Sequence, residues 1–113
     1  MQTQMLINGR LETGTGESLA VYDPATGAEI ARIAEAGPEQ VARAVRAAEA
    51  AFAGWARTTP KDRAAVLLQI ADRVEAHAEE LARLESRNCG KPFPAALNDE
   101  IPAIADVFRF FAG

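Results

Sequence analysis

Glu85-Ser86-Arg87-Asn88-Cys89-Gly90-Lys91-Pro92, then Asn98-Asp99-Glu100-Ile101-Pro102 and Phe108-Arg109-Phe110-Phe111-Ala112-Gly113, is the stretch on which the fold turns. Gly90 and Pro92 close a helix, with glycine in the usual C-terminal position. Asn98 is a candidate N-cap for a last helix, and Asp99 and Glu100 fill its acidic first turn. Pro102 is tolerated because it lies close to that start. Ile101, Ile104, Phe108 and Phe111 then form an apolar face.

Working outward, Thr59-Pro60-Lys61-Asp62 opens the preceding helix, with Thr59 as N-cap and Pro60 in the first turn. Its apolar stripe is Leu67, Ile70, Ala71, Val74, Ala78, Leu81 and Leu84. Nothing between Pro60 and Asn88 is a Gly or Pro that would force a break. Further upstream, Pro38 suits a first helical position, and Val41, Val45, Ala48, Phe52 and Trp55 fall on one helical face. Residues 4–35 read as strands and turns instead. Met5-Leu6-Ile7 and Arg10-Leu11-Glu12 flank Asn8-Gly9, a strong hairpin signal because both positions tolerate positive φ. Ser18 to Tyr22 and Glu29 to Ala34 flank the Asp23-Pro24-Ala25-Thr26-Gly27 turn. The expected class is α+β. A short β-hairpin region (residues 1–36) precedes three to four α-helices (37–113).

The chain has 113 residues, enough for one domain or part of one. Apolar residues make up 49% and charged residues 25%, which argues against disorder. The net charge is −4 without a basic cluster, so no nucleic-acid footprint is present. No apolar run is long enough for a bilayer, and the first residues lack a secretory pattern. A single cysteine forms no internal disulfide. A cytoplasmic protein is expected.

Few residues invite a chemical role. Cys89 is the only cysteine, but it follows a helix, and the negative end of the helix dipole opposes a thiolate. His77 is the only histidine and has no companion for metal ligation, so no metal site is expected. Gly14-x-Gly16 lacks the spacing and the following helix of a dinucleotide cradle. Asp99 and Asp106, seven apart, fall on one face of a regular helix, with Glu100 offset by one residue.

The ordered set of Ile7-Asn8-Gly9, Tyr22-Asp23-Pro24-Ala25-Thr26-Gly27, Phe52-x-x-Trp55 and Glu85 to Lys91 resembles the N-terminal part of NAD-dependent aldehyde dehydrogenases. The narrower string Glu85 to Pro92 with Asn98 to Pro102 is most similar to the bacterial gamma-aminobutyraldehyde dehydrogenases. The resemblance covers nearly the whole chain, which stops roughly where the first quarter of such an enzyme ends.

That resemblance implies oxidation of 4-aminobutanal to 4-aminobutanoate in putrescine degradation, with NAD as cofactor. In the family a cysteine thiolate attacks the aldehyde, hydride passes to NAD, and a glutamate-activated water releases the acid. Both residues and the cofactor-binding portion lie beyond residue 113 in the family, so no catalytic or cofactor-binding residue is expected here. The family also implies a helix break near Ala76–His77, packing onto a dinucleotide-binding domain, and assembly as a dimer or tetramer. In related amino-aldehyde enzymes, carboxylates on the last helix help to accept the substrate's ammonium group. Aligned on Phe108 to Ala112, Glu100 falls where one of them lies. A potassium site in the related betaine aldehyde dehydrogenases maps onto Val21, Tyr22 and Asn88, with Asn88 lacking the usual charge. The other reading is a truncated or stand-alone helical module without catalysis, acting by association.

Overall fold

In the computed structural model, which describes residues 2–113, Asn8 and Gly9 both take positive φ, 49° and 74°. This is the geometry a two-residue hairpin turn requires. They join β1 (Met5–Ile7) to β2 (Arg10–Glu12), antiparallel, with Ile7 opposite Arg10 and Met5 opposite Glu12. Alternation along β1 buries Ile7 and exposes Leu6. β3 (Ser18–Tyr22) pairs with β4 (Glu29–Ala34), also antiparallel. Val21 faces Ala31 whereas Tyr22 faces Glu29, so Ile30 is the extra residue of a bulge. In the intervening turn, Asp23 Oδ1 accepts the Ala25 N–H at 2.8 Å.

By packing, the chain forms two compact units. The first comprises Met1–Tyr22 and Gly27–Arg57. It therefore adds α1 (Pro38–Trp55) to the strands, and Pro38 opens that helix as its residue type predicts. The buried residue of α1 is polar: Gln40, 2% exposed. Alanines 44, 47, 48 and 51 line a shallow cleft with Leu6 and Ile7, small side chains that let the hairpin approach. The Val41, Val45, Phe52, Trp55 face exists but is not the core of this unit: Phe52 is 68% exposed.

The second unit comprises Asp23–Thr26 and Thr58–Gly113. α2 (Pro60–Ala76) starts as expected, with Thr59 Oγ1 accepting the Asp62 N–H. The expected break is present. His77 leaves helical geometry (φ −109°, ψ 18°), and α3 (Ala78–Cys89) begins after it. Gly90 ends α3 at φ 79°, and a Cβ there would lie 2.9 Å from Pro24 Cγ. Glycine is required on both counts.

Asn98 does not cap the last helix. The helical run begins earlier, at α4 (Phe93–Ala95), with Pro94 in its first turn. It passes through a π-helical turn (Ala96–Glu100) into α5 (Ile101–Ala112). Ile101 N–H reaches Ala96 O, five residues back. The wide turn carries the chain past Pro102, which has no N–H to contribute. Asn98 is therefore inside the run.

The core of this unit is built mainly from small residues. Ala71, Ala82, Ala96 and Ala105 are fully buried, with Ile101 at 5% exposure. Val74, Ala78, Phe93 and Leu97 surround the Ala82, Ala96, Ile101 cluster. Two expectations change here. Leu81 and Leu84 are exposed while Ala82 is buried, because the break at His77 resets the helical phase. Ile104 and Phe111 are exposed; α5 packs on α2, and its buried residues are Ile101, as expected, and Ala105. Close helix contact selects alanine on the inner face and leaves bulkier residues outside.

Candidate functional site

Glu100 ends the π-helical turn, and Lys91 directly follows the left-handed cap at Gly90. This brings Lys91 Nζ onto Glu100 Oε1 as a donated hydrogen bond and ion pair. Both side chains are about one-third exposed, 32% for Lys91 and 40% for Glu100. The bond to Glu100 holds the Lys91 ammonium above its usual range, against a smaller opposing effect of burial. Glu100 also stands at the rim of an open hollow of about 370 Å³, lined by Ala103, Ile104 and Val107. These positions share one helical face. The result is a carboxylate at the end of an apolar strip, an arrangement suited to an alkylammonium group. A larger hollow of about 880 Å³ in the first unit has Arg10, Arg43 and Arg46 on its walls, but Arg43 is bound to Glu12.

Asp106 and Asp99 do not join Glu100 in that arrangement. Asp106 lies 3.7 Å from Arg109 Nη1, so its charge is partly answered there. Asp99 lies within the π-helical turn, whereas Asp106 lies in α5 itself. Arg109 itself grips both oxygens of Glu75, at 2.7 and 2.6 Å, and approaches Asp72 at 3.5 Å. This fork ties α5 to α2, raises the guanidinium and lowers the Glu75 carboxyl. Sequence reading missed it. The only local signal was Asp106 three residues before Arg109.

Cys89 is exposed at the last residue of α3, with Sγ donating to Glu85 Oε1 at 3.3 Å. His77 is exposed, with Nδ1 3.3 Å from Glu80 Oε2. Val21 and Tyr22 lie on β3 opposite the Ile30 bulge of β4 in the first unit, and Asn88 is exposed on α3 of the second. The described residues contain no group of three or more His, Cys, Asp or Glu able to hold a metal ion. No helix among them is long and apolar enough to cross a membrane. The Gly14–Gly16 loop does not fit a dinucleotide. Gly16 N–H is already bonded to Glu35 O, the backbone at Gly14 lies against the Ala34 and Glu35 carbonyls, and the loop leads into a strand.

The aldehyde dehydrogenase family model matches residues 11–113, and the chain belongs to that family. It is 45% identical to Arabidopsis thaliana aldehyde dehydrogenase family 2 member B4, mitochondrial, over 98% of this chain and 21% of the relative. It is 38% identical to the Escherichia coli NADP/NAD-dependent aldehyde dehydrogenase PuuC, over 99% of this chain and 23% of the relative. The NAD⁺ complex of aldehyde dehydrogenase from Bacillus cereus superposes with a TM-score of 0.94 at 39% identity. That match covers 100% of this chain and 24% of the other. The chain thus spans between a fifth and a quarter of the length of the relatives it matches. Aldehyde dehydrogenases named for different substrates match at similar identity, so closeness to the aminobutyraldehyde class in particular is not shown.

Proposed function

We propose that this chain is the N-terminal segment of an NAD-dependent aldehyde dehydrogenase that oxidises a short amino-aldehyde. The strand region (1–36) and helical region (37–113) belong to one scaffold. The preferred substrate is 4-aminobutanal, converted to 4-aminobutanoate in putrescine degradation. The enzyme works in the cytoplasm as a dimer or tetramer. The cysteine nucleophile, the general-base glutamate and the NAD site belong to the remainder of such an enzyme, and no residue of this segment takes a catalytic role.

One observation carries the choice of substrate: the Glu100 carboxylate ends an apolar strip of Ala103, Ile104 and Val107. Three methylenes of 4-aminobutanal suit the strip, and the ammonium suits the carboxylate. A partly desolvated charge pair discriminates against an uncharged aldehyde.

The first test is the intact mass of the native gene product. A mass several times 12.1 kDa is expected, and a mass of 12.1 kDa would refute the proposal. In the enzyme-length protein, Glu100→Gln should raise KM for 4-aminobutanal much more than KM for butanal. Equal effects on the two would remove Glu100 from the substrate site.

A further inference from the structure

Lys91 carries the same chemical end as the proposed substrate, an ammonium on a run of methylenes, and it rests on the same carboxylate. We infer that Lys91 is a built-in competitor for the ammonium position at Glu100, and that its occupancy sets selectivity between cationic and uncharged aldehydes. This rests on the reading of Glu100 given above.

Three features carry the inference. First, the pair is net neutral while closed, so an arriving cation meets no free charge until Lys91 leaves. Among the described residues Lys91 is Glu100's one ion-pair partner, so its departure exposes a full negative charge beside Ala103, Ile104 and Val107. Second, both side chains are substantially exposed, the regime in which an ion pair is weak enough to exchange. Third, the backbone of Lys91 follows a rigid helix cap, while its flexible four-carbon stem lets the ammonium swing off Glu100 without moving the cap.

The experiment uses the enzyme-length protein and compares the ratio of KM for 4-aminobutanal to KM for butanal. Lys91→Met keeps the apolar stem and removes the charge, and should lower the ratio about two- to five-fold, the range of an exposed ion pair. Lys91→Arg should raise it, because a guanidinium grips a carboxylate with two bonds. Competitive inhibition by n-butylammonium should strengthen in Lys91→Met to the same extent. In a Glu100→Gln background, Lys91→Met should have no further effect on the ratio. Lys91→Gln serves if Lys91→Met does not fold, as judged by its melting curve.

If Glu100→Gln leaves the ratio unchanged, the reading of Glu100 falls and the inference falls with it. If Glu100→Gln raises the ratio but Lys91→Met does not lower it, the reading of Glu100 stands and the competitor role is overturned. A parallel rise of both KM values in Lys91→Met would make the pair purely structural and would also overturn it.

Discussion

Replacing Gln40 by Leu should loosen the first unit more than any surface change. The Gln40 side chain is 2% exposed and both ends of its amide are satisfied. Its Oε1 accepts from Thr15 N–H at 2.8 Å, Thr15 Oγ1 at 3.0 Å and Gly37 N–H at 3.0 Å. Its Nε2 donates to Thr13 O at 2.9 Å and Glu12 Oε2 at 3.3 Å. One side chain thus fastens the Glu12–Thr15 loop to the start of α1. Leu fills a similar volume and answers none of these groups. The Gly37 N–H is buried and becomes an orphan, at about 1–3 kcal/mol. The Thr15 N–H and Thr13 carbonyl are part-buried and recover some solvent. A total of about 2–4 kcal/mol is expected. That corresponds to roughly a thirtyfold to several-hundredfold loss of protection against amide exchange. The assay is hydrogen exchange at Gly37 and Thr15, with the denaturant midpoint measured on the same protein. Gln40→Glu provides a second arm. Its carboxylate would face the Glu12 carboxylate and the Thr13 carbonyl, so folding raises its pKa. Stability should then be low at neutral pH and recover as pH falls, because the protonated acid can donate. A change below about 0.5 kcal/mol in Gln40→Leu, with exchange unaltered, would refute the reasoning.

Two further outcomes follow from local geometry and charge. Gly90→Ala should destabilise the second unit by about 1–2 kcal/mol from the left-handed backbone alone, with more from the contact with Pro24 Cγ. An unchanged melting temperature would show that the cap is not held as described. Arg43 chiefly, and Gln40 next, hold the Glu12 carboxyl below its usual range. A lowered folded value means stabilisation that is present above about pH 4.3 and lost as pH falls through the folded value. Denaturant midpoints at pH 5 and pH 3 should therefore differ less in Glu12→Gln than in the wild type, and equal differences would contradict the pairing.

Local chemistry made much of the fold legible. Asn8-Gly9, Asp23 with Gly27, Pro38, Thr59 and Gly90 each act through their own backbone or a neighbour within a few residues, and each appears where its residue type places it. The ordered motifs identified the family because order and spacing survive without knowledge of contacts. The break at His77 was legible only through the family, since neither Gly nor Pro marks it.

What failed was the assignment of faces. A 3.6-residue period shows which residues share a face but not which face finds a partner. On α1, Val41, Val45 and Phe52 formed the obvious stripe, yet the buried position is the polar Gln40. On α3 and α5, alanines took the interior while Leu84 and Phe111 stayed outside. The start of the last helix was also misplaced, because the helical run already begins at Phe93 and carries Asn98 inside a π turn. Glu100 was visible as a candidate through the family alignment, but its partner was not. Lys91 lies nine positions away, and only the reversal after Gly90 brings the two charges together. Residue type and order by themselves determined the family, the turns and the helix ends at Pro38, Thr59 and Gly90, because those depend on interactions along the chain. The tertiary structure decided which side of each helix is buried and which carboxylate already holds a cation, because those depend on atoms brought together from distant positions.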